Sequence, residues 1–307
     1  MEQKISDQGP NDQRVDPHLL GLAIHELVSE RKFIKSHTHS STGSISWYAN
    51  AKQSEAAVNT KLSEIAPLYA QVSSGQFPNL VGDSLEIAVF KSLRQLNDKN
   101  PQFTFFGSIE LDKPKNKQNR YRKIEPPQTV SGHTTRKIPD FIINGFESGS
   151  ICVECKNYRE WFYPHHNEII KLIRVGLELH STPLLIARRI HYTTITNFLK
   201  SAGIIDHEIY YQYYPVDQVE LADNVRHKRS LGFSDVRASE EPDQRTIKFF
   251  TSDLKKIVDN MARRFQENRS ALEDYVAEDI NLAQLYNAIG SPAAGNWIEI
   301  HKDDIPF

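Results

Sequence analysis

Pro139-Asp140 opens the apolar run Phe141-Ile142-Ile143, and after a Gly/Ser-rich turn the chain reads Ser150-Ile151-Cys152-Val153-Glu154-Cys155-Lys156. Two adjacent strands at these positions bring Asp140, Glu154 and Lys156 to one edge of a sheet. Successive strand residues point to opposite faces, so Cys152, Glu154 and Lys156 share one face and Ile151, Val153 and Cys155 the other. Two carboxylates and an ammonium gathered in this way suit a divalent cation and an attacked phosphate. Hard oxygen ligands select Mg²⁺ or Mn²⁺. An ion held there polarises phosphorus and acidifies a bound water, while Lys156 balances charge on the transition state. The same spacing separates Cys152 and Cys155 across the strand, which argues against a zinc site.

A basic stretch precedes the acids. Lys113, Lys115, Lys117, Arg120, Arg122, Lys123, Arg136 and Lys137 stand against one acid, Glu125. Although the whole chain carries a net charge of only −2, such a local concentration attracts phosphates. These eight cations are the expected nucleic-acid contacts. After Lys156, the aromatic group Tyr158, Trp161, Phe162 and Tyr163 is placed either to pack its loop or to stack bases. Arg188, Arg189 and His191 are further candidates for phosphate contact, and His165-His166 read as a helix start.

Several elements must position these groups. Val81 to Leu96 has helical periodicity, and Phe103 to Leu111 is β-rich. Ile138–Ile143 and Ser150–Lys156 form the motif hairpin, with Asn144-Gly145 and Ser148-Gly149 supplying turn chemistry. Glu168 to His180 is a helix apolar nearly all round. Pro183 to Ala187 reads as a buried strand, Tyr192 to Ser201 as a helix ended by Gly203, and Glu208 to Tyr214 as a strand. This order predicts an α/β fold with a central mixed sheet flanked by helices. Beyond Val216 the chain turns mostly helical, with one long amphipathic helix expected from Ser252 to about Ala277.

At the other end, a helix from Asp16 to Phe33 with Leu19, Leu20, Ala23, Ile24, Leu27 and Val28 on one face leads into a hairpin over Ile34 to Ala49. Helix followed by polar hairpin resembles the last helix and wing of a winged-helix DNA-binding domain. His37 and His39 in this hairpin read as surface polar residues. The expected organisation is a loose N-terminus (1–16), a partial winged-helix-like module (17–50), a helical linker (51–78), a core (79–215) and a mostly helical C-terminal region (216–307).

Pro139-Asp140 followed, after a gap, by Glu154-Cys155-Lys156 resembles the motif of the PD-(D/E)xK nuclease superfamily, the restriction-endonuclease-like phosphodiesterases. The arrangement is similar to its Holliday-junction-resolvase and type IV restriction branches. Many members carry another acid on the helix before the first core strand, and Gly82-Asp83-Ser84-Leu85-Glu86 resembles that segment. The resemblance implies Glu86 as the third acid, with Asp83 the competing candidate. It also implies a restriction-endonuclease-like sheet of four or five strands and a catalytic set of Glu86, Asp140, Glu154 and Lys156. Mg²⁺, with Mn²⁺ substituting, would be held by Glu86, Asp140, Glu154 and the Cys155 backbone carbonyl. The implied activity is endonucleolytic hydrolysis of DNA leaving 5′-phosphate ends, in restriction, phage defence or repair. The alternatives are an RNA-cleaving member of the superfamily and a non-catalytic winged-helix-type DNA-binding protein on a nuclease-like scaffold.

Composition narrows the setting. Of 307 residues, 39% are hydrophobic and 25% charged, enough to bury a full core. No apolar run approaches the roughly 18 to 20 residues of a membrane helix. The polar N-terminus lacks a signal-peptide pattern, and two cysteines argue against a disulfide scaffold. The expected partner is DNA, the expected address the cytoplasm, and no membrane is involved. A two-strand break needs two sites, which makes a homodimer attractive. Asp303-Asp304-Ile305-Pro306-Phe307 resembles the acidic tip of bacterial single-stranded-DNA-binding proteins, but alternation over Trp297 to Ile300 reads as a strand instead.

Overall fold

The computed structural model describes residues 17–40, 43–110 and 121–294. The chain divides into two units. Among the described residues the first unit comprises 17–81 and 216–238. Helix α1 (Pro17–Ser29) leads into the antiparallel hairpin of β1 (Phe33–Ser40) and β2 (Gly43–Asn50), with Phe33 opposite Asn50. The face of α1 that packs is narrower than the expected stripe, because Leu20 and Ile24 are buried whereas Leu19 is exposed. Trp47 anchors the hairpin: its indole N–H donates to the Thr38 hydroxyl at 2.7 Å. Its ring meets Tyr69 of α2 (Glu55–Ser73) edge-on at 5.8 Å. Ser54 caps α2 by accepting from the Ala57 N–H, one of the donors a helix start leaves without a partner. His37 is exposed beside Ser46, and the His39 side chain lies outside the described residues.

The second unit comprises residues 82–215 and 239–294 among those described. It starts within α3 (Phe77–Lys99) and continues through β3 (Thr104–Phe106), β4 (Ser108–Glu110), β5 (Arg122–Ile124), β6 (Thr129–Val130), β7 (His133–Thr134), β8 (Phe141–Phe146) and β9 (Gly149–Lys156). Helix α4 (Asn167–Leu179), β10 (Thr182–Ala187), β11 (Ile205–Glu208), α5 (Leu254–Glu267), α6 (Arg269–Val276) and α7 (Leu282–Ala288) follow. Five strands form one mixed sheet in the order β11-β10-β9-β8-β3. Strands β3, β8 and β9 run antiparallel, whereas β9, β10 and β11 run parallel.

Two-residue periodicity divides the sheet's side chains between two cores. Phe141, Ile143, Ile151, Val153, Cys155, Leu184 and Ile186 pack on the side of Leu85, Ile87 and Leu93 from α3 and Leu254, Val258 and Met261 from α5. Ile142, Cys152, Leu185 and Ala187 pack on the opposite side, with Ile169, Leu172 and Ile173 of α4 and with α6 and α7. Both faces of β9 are therefore covered, including the face that carries Glu154.

Three expected boundaries shift. The region 216–307, read as one mostly helical stretch, divides between the units, and its residues 239–294 fall in the sheet-bearing unit. The long helix expected from Ser252 to Ala277 breaks at Asn268 (φ −91, ψ 4) into α5 and α6, and Phe265 and Leu272, on either side of the break, both enter the α4-side core. The strand expected over Glu208 to Tyr214 is divided: the sheet's edge strand is Ile205–Glu208, entered straight from Gly203 at φ 80, and a separate short strand occupies Gln212–Tyr214.

Candidate active site

The ends of β8 and β9 carry the site. Asp140 immediately precedes β8, and its backbone N–H donates to the Val153 carbonyl at 3.0 Å, which locks the hairpin register at the acid. Its carboxylate folds back on β9, where Oδ2 accepts from the Cys155 N–H at 2.7 Å. Gly107, at φ +94, lets the β3–β4 turn pass against this point; a Cβ there would stand 2.7 Å from the Asp140 carbonyl oxygen.

Glu86 reaches the same place from α3. Lys123 of β5 bridges the two acids, its Nζ 2.8 Å from Glu86 Oε2 and 2.9 Å from Asp140 Oδ1. Burial and the Asp140 charge push the Glu86 carboxyl up to about 8, with Lys123 pulling the other way. Burial alone would lower the Lys123 ammonium, but Asp140 and Glu86 overcome it and hold it above its ordinary value. Burial also lifts the neighbouring Asp83, to about 6, against the pull of Lys123.

Glu154 sits in a second, adjoining network. It is 3% exposed, and its Oε1 accepts from Lys156 and from Lys137, each at 2.7 Å. Lys156 also reaches Glu168 Oε2 on the first turn of α4 at 2.9 Å, and Lys171 takes the other Glu168 oxygen at 2.6 Å. Although burial opposes ionisation of Glu168, hydrogen bonds from Lys171 and Lys156 hold it down to about 2. Burial would lower the Lys156 ammonium, yet Glu154 and Glu168 keep it above its ordinary value. Lys156 is thus a fixed cation, not a proton acceptor. Lys137 is itself held in place, since Thr135 donates to Glu178 Oε2 of α4 at 2.7 Å and the Arg136 N–H to the same oxygen at 2.9 Å.

The sequence-derived set therefore gathers at one end of the sheet, but as two ammonium-bridged clusters. The sheet itself is the reason. Glu154 shares a face with Cys152 on the α4 side, while Glu86 comes from the helix on the opposite side. Among the described residues, no group of three or more His, Cys, Asp or Glu is arranged to hold a metal ion. The pair Glu86 and Asp140 does fit one: both offer an oxygen to a single positive centre, and Mg²⁺ takes one or two carboxylates and keeps several waters. Glu154 would join only by releasing its lysines. Cys155, expected to offer its carbonyl, serves Asp140 through its N–H; its thiol faces the core, where burial raises it far above the ordinary thiol value.

The other expected contacts separate. Lys113, Lys115, Lys117 and Arg120 lie outside the described residues. Lys123 and Lys137, read as phosphate contacts, have their ammonium groups on acids instead, because these carboxylates are buried and require a counter-charge. Arg122 and Arg136 are exposed. Arg188, Arg189 and His191 are buried rather than open to a phosphate, and His166 caps α4 by accepting from the Glu168 N–H. Sequence reading missed Lys123 and Lys137 as partners of the acids, and missed Glu168 altogether. The available signal for Glu168 was an acid on the first turn of a helix directly after the Glu154–Lys156 strand. The C-terminal Asp303–Phe307 segment also lies outside the described residues.

Protein-family models, curated proteins and solved structures contain no match to this chain.

Proposed function

We propose that the chain is a restriction-endonuclease-like, Mg²⁺-dependent endonuclease that hydrolyses DNA phosphodiester bonds, acting in restriction, phage defence or repair. What carries this reading is the meeting of Glu86, Asp140, Glu154 and Lys156 at one end of a mixed five-stranded sheet. Glu86 and Asp140 would hold the ion, which supplies Lewis-acid polarisation and an acidified water. Lys156, kept protonated by its two carboxylates, donates to a non-bridging phosphate oxygen and opposes the charge that builds as the water oxygen bonds phosphorus. The bond to the 3′ oxygen breaks, leaving a 3′-hydroxyl and a 5′-phosphate. Arg122 and Arg136 are open to the strand's flanking phosphates.

A cleavage panel of plasmid, linear duplex, single-stranded, branched and methylated DNA plus RNA, each with Mg²⁺ and Mn²⁺, tests the reading. Asp140→Asn and Glu154→Gln should abolish cutting while melting remains cooperative. Cleavage that persists unchanged in both variants refutes the assignment.

One observation favours a second reading. The acids are satisfied by lysines, and among the described residues no group of three or more His, Cys, Asp or Glu is arranged around one ion, as a non-catalytic DNA-binding scaffold would permit. That protein binds DNA with strong salt dependence and cuts nothing in the same panel.

A further inference from the structure

Three loops emerge where the parallel strands β9, β10 and β11 end, and each carries an exposed tyrosine: Tyr158, Tyr192 and Tyr210. They are not equivalent. Tyr210 lies under the Arg245 guanidinium, 4.1 Å from its ring centre. Tyr158 is 43% exposed and Tyr192 68% exposed. Tyr158 stands two residues beyond Lys156, whose Nζ also lies over its ring but farther off, 5.7 Å from the centre.

The loop beneath Tyr158 is rigid. Asn157 is buried and pairs reciprocally with the chain at Tyr213, donating to its carbonyl at 2.7 Å and accepting its N–H at 3.2 Å. Arg188, fully buried, donates to the carbonyls of Tyr158 and Arg159 at 3.3 and 3.0 Å. Phe162 lies parallel beneath the Tyr158 ring at 6.2 Å, and its N–H and carbonyl bond to Arg189 and His191. A buried guanidinium and a buried amide thus fix a loop that displays an aromatic ring. A ring held in this way can receive a flat partner without losing conformational freedom.

We infer that Tyr158 is a stacking platform for an unpaired base of the strand whose phosphate contacts Lys156, so that the site takes single-stranded or locally opened DNA rather than continuous duplex. The inference rests on the nuclease reading of Lys156 and deepens it. The Lys156–Tyr158 separation is comparable to that between a nucleotide's phosphate and its own base. Stacking on an aromatic ring tolerates any base, whereas the bases of an intact duplex have no free face to offer.

Binding of a short oligothymidylate and of its duplex to the full chain in EDTA, read by fluorescence anisotropy, tests this without turnover. A companion single strand carrying 2-aminopurine reports stacking by quenching. The native chain should prefer the single strand and quench the probe. Tyr158→Ala should bind the single strand about 5- to 150-fold more weakly, lose the quench and leave duplex affinity unchanged, with Tyr158→Phe restoring both. The ring is exposed, so all variants should melt like the native chain. Equal affinity of native chain and Tyr158→Ala for the single strand overturns the inference, as does an absent quench. The two readings fail separately: a chain that quenches the probe but cuts no DNA retains the platform and loses the nuclease. A chain that cuts DNA but binds the single strand equally well as native chain and as Tyr158→Ala retains the nuclease and loses the platform.

Discussion

Replacing Lys123 by methionine removes the ammonium shared by Glu86 and Asp140 and leaves an apolar stem of similar length in its place. Breaking a buried ion pair typically costs about 3–5 kcal/mol because a charge is left without a partner. Here the cost should depend on pH. The Glu86 carboxyl titrates at about 8 in the folded chain, against about 4.3 when unfolded. A raised carboxyl contributes stability below its unfolded value and loses it as pH rises through its folded value. At about pH 6 Glu86 is protonated in native chain and variant alike and needs no counter-charge. Loss of the ammonium should lift its midpoint further, by about 1–2 pH units. The gap between the two proteins then widens by about 1.0–1.4 kcal/mol on going to about pH 9. At about 2–4 °C per kcal/mol this is an added difference of roughly 2 to 6 °C in melting temperature. The vacated place should also accept a divalent ion more readily. At one hundred times the variant's Kd for Mn²⁺, stabilisation reaches about 2.7 kcal/mol, and at that concentration the native chain should gain less. Thermal melts of both proteins at the two pH values, with and without Mn²⁺, measure all of this. A stability gap independent of pH, together with identical Mn²⁺ responses, would refute the account of Lys123 as the cation that holds this pair.

Two other outcomes follow from the neighbouring network and from the core. Glu168→Gln keeps an acceptor for Lys156 but removes half of its counter-charge, so cleavage should fall about 10- to 100-fold through misplacement of the ammonium, while the melting temperature changes by only a few degrees; unaltered turnover would show that Glu154 alone positions Lys156. His207 is buried against Thr246 and Phe249, and burial lowers it from 6.5 to about 4. The unfolded chain therefore takes up that proton first, and stability should drop as pH falls from 6.5 to 4 by up to about 3 kcal/mol. Urea unfolding of His207→Gln across this interval should lack that component, and an unchanged acid slope would assign it elsewhere.

The paired strands, the buried helix after them and the segregation of Cys152 from Cys155 are all legible in the chain itself. Each follows from local periodicity: a strand alternates every second residue and a helix repeats every 3.6 residues whatever surrounds it. The apolar runs over Phe141–Ile143 and Ile151–Val153 therefore announce both their type and their faces, and the acids within and beside them are conspicuous for the same reason. The break at Asn268 is not legible, because the stripe from Leu254 to Val276 is compatible with one straight helix.

The partners of the acids are not legible either. Lys123 and Asp140 are 17 residues apart, Lys156 meets Glu168 across the turn into α4, and Arg188 turns inward to brace a loop although its position past a strand end looks open to solvent. In the linear chain a lysine among lysines reads as a solvated cation. Whether it faces water or a carboxylate depends on which charges the packed sheet and helices have removed from solvent, since a buried carboxylate draws in whichever ammonium can reach it. That choice is made by long-range geometry, and no local pattern encodes it.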